Sequence, residues 1–258
     1  LLISNLNMKS RESKWQARGL IDAEGNLNLN IDASKVKLSQ LDNLHNYRNL
    51  AGTASLQGQL KGKLSNPYFL GEVQIKDAGY AKRRVDEVVG VVTYRQEVVD
   101  LNDVIISDQK RRYRLTGEIK LAKKPKLDLD LKTKAGELAS LYKLISDQKL
   151  FDIQGQFSGN LGIKGPVDDL KMAGDINLLN GHIHDMELTS GFLRFAWEND
   201  ILKLKKVKLS GLESQLIGNG QIRKNGELAL DLEADSVNLA KLDLEQYGII
   251  GSNNITGK

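Results

Sequence analysis

The sequence contains no cysteine, which excludes a disulfide-stapled scaffold and any thiol chemistry, although it leaves the compartment open. Prolines number three and aromatic residues make up only 5% of the chain, so the apolar content rests on Leu, Ile and Val. No apolar run approaches the roughly 18 to 20 residues of a membrane-spanning helix, and no basic-then-apolar signal segment opens the chain. Its first residue is Leu1, so the sequence reads as an excised piece of something longer. Neither sign of charge dominates: 37 Lys and Arg stand against 33 Asp and Glu, and the excess of +4 is spread along the chain, weak ground for a nucleic-acid partner. What is present points to a soluble, folded protein. It is 40% hydrophobic and 27% charged, with a mean hydropathy of −0.36, and its 24 glycines fit strands with frequent breaks.

Those strands repeat. Leu60-Lys61-Gly62 followed by Leu70-Gly71-Glu72-Val73-Gln74-Ile75 recurs as Ile163-Lys164-Gly165 followed by Ala173-Gly174-Asp175-Ile176-Asn177-Leu178. The same offset carries Leu101, Val104, Ile106 and Gly117 onto Leu204, Val207, Leu209 and Gly220. A partial copy opens the chain, where Gly19 and the run from Leu27 to Asp32 match Gly117 and the run from Leu127 to Lys132; Leu228 to Glu233 is the last counterpart. After each run the spacing changes to threes and fours: Val36, Leu38, Leu41, Leu44; Leu138, Leu141, Leu144, Ile145; Val237, Leu239, Ala240, Leu242. That period predicts one short amphipathic helix per unit. The organisation expected is therefore the C-terminal part of a first repeat over 1–51, a second repeat over 52–154, a third over 155–250 and the start of another over 251–258. All would belong to one continuous groove of tandem repeats, each about 100 residues long.

Side chains alternate across a strand, so Leu127, Leu129 and Leu131 share one face while Asp128, Asp130 and Lys132 share the other. Such a sheet must cover its apolar side with a second sheet, with its own closure into a barrel, with a helix or with a ligand. The helices are short and few and the polar faces heavily charged, which favours a sheet folded lengthwise into a trough; an ordinary closed sandwich core is the alternative. The fold class expected is all-β with a few short helices, in an elongated groove. Candidates for its lining are Leu27, Leu29 and Ile31; Leu56, Leu60 and Leu64; Val73 and Ile75; Leu127, Leu129 and Leu131; Leu161 and Ile163; Ile176 and Leu178; Leu202 and Leu204; and Leu228, Leu230 and Leu232. With strands about 4.8 Å apart and five or six per copy, each copy advances roughly 25 to 30 Å and the whole chain about 60 Å. An open trough of that length exposes far more apolar area than a monomer normally leaves bare, the signature of a binding surface.

The ordered series of Leu60-Lys61-Gly62 or Ile163-Lys164-Gly165, then Asn66-Pro67 or Val167-Asp168-Asp169, then the strands through Gly71 or Gly174, then Asp77-Ala78 or Asn180-Gly181, resembles the TamB and AsmA-like proteins of diderm bacterial envelopes. The Ser210-Gly211 turn and the element from Leu228 to Leu242 continue the likeness, which covers nearly all of the chain. The resemblance implies a β-groove of the "taco" type in the periplasm, tied to the inner membrane by an anchor outside this chain. It implies non-enzymatic movement of phospholipid between inner and outer membranes, with acyl chains on the groove lining. It also implies an alternative, the assembly of outer-membrane and autotransported β-barrel proteins with an Omp85-type partner. A purely architectural solenoid with a sealed interior is a third possibility.

Other signals have plainer explanations. His182 and His184 alternate near Asp185 and Glu187, but the one further histidine, His45, lies in another unit, so a solvated strand end is expected rather than a metal site. Asp128, Asp130, Asp231 and Glu233 recur because the polar face recurs, whereas a catalytic pair is needed once, in a cleft. The glycines from Gly155 to Gly162 and around Asn219 open no strand-loop-helix phosphate site, and no serine sits in a nucleophile elbow. The basic run from Lys203 to Lys208 reads as a charged outer face, with attraction of anionic head groups as the functional alternative. No enzyme activity and no cofactor are expected.

Overall fold

In a computed structural model, which describes residues 2–10, 12–40, 50–80, 83–140, 153–183, 186–211 and 215–235, the chain forms one 16-stranded antiparallel sheet. The strands are β1 (Leu2–Ser10), β2 (Ser13–Ile21), β3 (Asn26–Lys37), β4 (Leu50–Lys63), β5 (Asn66–Tyr80), β6 (Arg83–Arg95), β7 (Val98–Asp108) and β8 (Arg111–Lys120). They continue as β9 (Lys126–Glu137), β10 (Ile153–Pro166), β11 (Lys171–Ile183), β12 (Met186–Leu188), β13 (Ser190–Glu198), β14 (Ile201–Ser210), β15 (Gln215–Arg223) and β16 (Leu228–Asp235). Spatial order follows chain order throughout, except that short β12 pairs beside β11 and lies off the main path. The sheet does not close on itself. A compact monomer of 28.6 kDa exposes about 11,000 Å², whereas this chain exposes 17184 Å². That excess is what a single extended layer requires.

The repetition read from the sequence reappears in the backbone. β4 to β9 have the counterparts β10, β11, β13, β14, β15 and β16. Gly19, Gly117 and Gly220 stand directly opposite Leu29, Leu129 and Leu230. Register shifts fall between Leu101 and Val104 in β7 and between Leu204 and Val207 in β14, at equivalent positions. The hairpins joining β6 to β7 and β13 to β14 each turn on two left-handed residues, Gln96 and Glu97 in one and Asn199 and Asp200 in the other, the tight geometry whose twist suits antiparallel strands. The expected boundaries at 51/52 and 154/155 fall inside β4 and β10, so the sheet runs through them without a break.

Gly117 shows why certain positions admit no side chain. Its φ is 122°, and a Cβ there would lie 2.1 Å from the Asp128 carbonyl oxygen. The bend therefore depends on glycine.

Two expectations need correction. Val36, assigned from its spacing to a helix, is a buried strand residue of β3 that faces Ala54 across a bulge at Lys35, whose φ is 56°. Pairing with β4 overrides the local period, and among the described residues a 3₁₀ turn, Leu38–Gln40, follows. In the next copy a helical turn does begin at Leu138 to Ser140. The remaining residues assigned to helices, Leu41, Leu44, Leu141, Leu144, Ile145, Val237, Leu239, Ala240 and Leu242, lie outside the described residues. The second correction concerns Leu64, which is not on a strand: β4 ends at Lys63, and Leu64 stands in the turn with 68% of its surface exposed.

Candidate functional site

Directly opposed residues of neighbouring strands point to the same face of a sheet, so a face can be followed strand by strand through the pairing. Starting from Trp15 in β2, one such row passes through Ala33, Leu56, Val73, Gly90, Val104, Leu115 and Leu131 to Leu161 in β10. It continues through Gly174, Phe195, Leu204 and Gly220 to Leu230 in β16. Every member is apolar or glycine. At strand spacing, the row is about 60 Å long.

All the candidate lining residues on strands belong to this inner face. Leu27, Leu29 and Ile31 alternate in β3, and Leu60 pairs with Leu29. Ile75 lies two positions from Val73 in β5, while Leu127 and Leu129 flank Leu131's row in β9. Ile163 faces Leu129; Ile176 and Leu178 follow Gly174 along β11; Leu202 faces Trp197. Leu228 and Leu232 flank Leu230 in β16. Leu64 alone is excluded, for the reason given above.

Burial along this face is uneven. From β10 to β13, Phe157, Leu161, Met172, Ile176, Leu178 and Phe195 are buried, joined by Leu188 of β12, with Leu131, Leu138 and Trp197 packed against them. Ile176 has no exposed surface at all. In β4 to β6 the corresponding wall residues remain half-buried, and in β16 Leu228, Leu230 and Leu232 each keep more than 40% of their surface exposed. Inner-face aromatics, namely Trp15, Phe69, Tyr94, Tyr113, Phe157, Phe195 and Trp197, were missed by the sequence reading. Their signal was the shared alternation phase, as in Phe195-x-Trp197 ahead of Leu202-x-Leu204.

The outer face is charged and exposed. Arg114 donates two hydrogen bonds to Asp103 across β7 and β8, both at 2.7 Å, and Arg194 grips Asp175 in the same way at 2.8 and 2.7 Å. Those guanidinium contacts hold both carboxyls below the ordinary aspartate range. Lys164 reaches Asp128, Lys124 reaches Asp168, and Lys171 pairs with Glu198. Lys203, Lys206 and Lys208 point outward, with Lys205 in the register shift of β14, which explains the adjacent pair of lysines. Two shallow depressions of about 220 and 350 Å³ open on this polar side, the first around Asp103, Arg114, Asp130 and Lys132, the second around Gln16, Arg18, Asp32 and Gln57. On the inner face, burial pushes the Tyr113 phenol above its usual value.

His182 lies opposite Glu187, and among the described residues no three His, Cys, Asp or Glu side chains gather as metal ligands. His184, Asp185 and His45 lie outside the described residues. Asp128 and Asp130 line the outer face of β9, Asp231 and Glu233 that of β16, each pair in a different strand.

An apolar row running from β2 to β16 with charged residues behind it is the arrangement on which the comparison with known families bears. Residues 7–192 match the family model of the TamB C-terminal domain. The chain belongs to the TamB family. No match was found among curated proteins or among solved structures. TamB-family proteins act in the bacterial envelope, in transport of lipid or protein, in association with membrane lipids and Omp85-type partners. The match to a C-terminal domain gives this chain a place in the TamB architecture that the repeat alone did not give. Among its described residues, no helix is long and apolar enough to cross a membrane.

Proposed function

We propose that this TamB-family segment is a periplasmic section of a non-enzymatic phospholipid path between the inner and outer membranes, with acyl chains lying on the inner face and head groups in water. The observation that carries this reading is the row from Trp15 to Leu230, in which no polar side chain interrupts the apolar wall. Each buried CH₂ gains about 0.8 kcal/mol wherever it sits on such a wall, so binding is favourable while lateral displacement meets little barrier. A charge in the row would raise that barrier by several kcal/mol. The exposed leucines of β16 offer a continuation of the same surface at the edge of the described sheet. An inner-membrane anchor outside this chain and an Omp85-type partner at the outer membrane would complete the path.

Native mass spectrometry of the gently purified chain tests this directly. Phospholipid should co-purify, and Leu60→Asp, on the half-buried part of the wall, should lose it while circular dichroism shows unchanged strand content. A lipid-free chain that also takes up none from vesicles sinks the lipid path. Photo-crosslinkers on the wall that capture polypeptide instead would establish the assembly function.

A further inference from the structure

The two complete copies build the same wall from side chains of different size. Where the third copy has Phe157, Leu161, Leu193 and Phe195, the equivalent inner-face positions of the second are Ala54, Gly58, Gly90 and Val92. Phe69 to Met172, Tyr113 to Leu216 and Leu115 to Gly218 run the other way, as do two exchanges within β4 and β6, Leu56 to Gly159 and Val88 to Gly191. Each of the latter two lies two residues from a gain in the same strand, so it moves a branched side chain toward the hairpin end of the strand without removing it. Each copy thus carries three inner aromatics, Phe69, Tyr94 and Tyr113 in the second and Phe157, Phe195 and Trp197 in the third, but Phe157 and Phe195 are buried whereas Phe69 and Tyr113 are half-buried. Burial differs between the copies as well, for a cluster of buried wall residues lies in the third copy, while in the second the equivalent side chains on β4, β5 and β6 stay half-exposed. β7 and β8 shift register at the same place as β14 and β15, whereas the irregularity between β4 and β5, at Ala51 to Thr53, lies nearer the start of the strand than that between β10 and β11, at Gln156 and Phe157.

We propose that the third copy is a constriction in the apolar path, at which Phe157 and Phe195 fill the space that an acyl chain occupies in the second copy. The inference rests on the lipid-path reading and adds a control point to it. Aromatic rings occupy the largest volume per side chain and pack edge and face against one another, so they close a lumen that Ala and Val leave open. Lipid would rest against the second copy and advance past the third only when that cluster parts. The chemistry recognised is a hydrocarbon chain, because the row from Trp15 to Leu230 is made of apolar side chains and glycines.

A pair of equivalent residues makes the test. Tyr94 and Trp197 are both inner-face, half-buried aromatics at matching positions in β6 and β13. Benzoylphenylalanine placed at either one, with the chain incubated with vesicles of phosphatidylethanolamine and phosphatidylglycerol, should capture phospholipid several-fold more at 94 than at 197. Widening the third copy with Phe157→Ala and Phe195→Val should bring capture at 197 up to the level at 94. Filling the second copy with Ala54→Phe and Val92→Phe should lower capture at 94, a result that does not depend on the widened variant folding. Equal capture at the two positions in the unaltered chain, or filling without loss, overturns the constriction and leaves the lipid path standing. No capture at either position in any variant overturns both.

Discussion

The inner and outer faces of this sheet share every backbone hydrogen bond and differ only in what their side chains meet. Inward, a side chain gives up water and gains close packing, as Ile176 does with no surface left exposed; complete burial of such a side chain contributes about 1.5 to 3 kcal/mol. Outward, Arg114 and Asp103 form a well-aligned pair that is nonetheless exposed to solvent, so its Coulomb attraction is screened and offset by the entropy of two ordered side chains. Charged residues on the outer face thus keep the sheet soluble and discourage stacking, while stability comes from the inner face. This asymmetry lets a one-layer sheet present a continuous apolar wall without collapsing onto a second layer.

Glycines break the comparison most severely. Gly117 faces inward with a left-handed φ and a carbonyl oxygen 2.1 Å from the place a Cβ would take, so Gly117→Val should cost at least about 3 kcal/mol and move the urea midpoint accordingly. Gly162 faces outward between Asp130 and Ala173, with no atom nearer than 3.7 Å to that place. Gly162→Ala should leave the midpoint unchanged or raise stability by up to about 1 kcal/mol, because alanine narrows the unfolded ensemble without a clash. Equal losses from both substitutions would show that curvature, and not facing, decides which glycines are needed.

The period of two made the inner face legible from sequence, because a leucine and its neighbour two residues away cannot separate within one strand. Leu27, Leu29 and Ile31 accordingly share one face of β3, and Leu127, Leu129 and Leu131 one face of β9. It fails where the period is interrupted. Val36 follows a bulge that no local signal marks, and Leu64 extends the phase of Leu56 and Leu60 one step beyond the end of β4. The inner aromatics share that phase, but at 5% of the chain they are too sparse to mark a stripe of their own. Pairing across strands, the property that turns separate apolar stripes into one wall, depends on turn geometry and bulge positions that the residue pattern does not specify.

Aliphatic side chains sharpen the comparison at smaller cost. Ile176→Ala, in the fully enclosed part of the wall, should lose about 2 to 5 kcal/mol through lost transfer energy and the cavity left behind. Ile217→Ala removes the same atoms from the outer face, where Ile217 is 41% exposed, and should change stability by no more than about 0.5 kcal/mol. Urea unfolding of the two variants side by side measures the difference; a large loss from Ile217→Ala would mean that a partner or a second layer covers the outer face.

The smallest effect expected is electrostatic and depends on pH. Asp103 and Asp175 each have a carboxyl held below its ordinary value, first by a hydrogen bond from an arginine and then by that arginine's charge. A depressed carboxylate binds fewer protons in the folded chain than in the unfolded one. Its contribution is therefore complete above the unfolded value near about 3.9 and disappears as pH falls through the lower folded value. Converting both residues with Asp103→Asn and Asp175→Asn should flatten the fall of the urea midpoint in that acid window and leave the midpoint near neutral pH almost unchanged, because both carboxylates are solvated. Added salt should shrink even this small difference, since screening acts on exposed charges and hardly at all on the packed wall. A neutral-pH loss as large as that of Ile176→Ala would reverse the assignment of stability to the inner face.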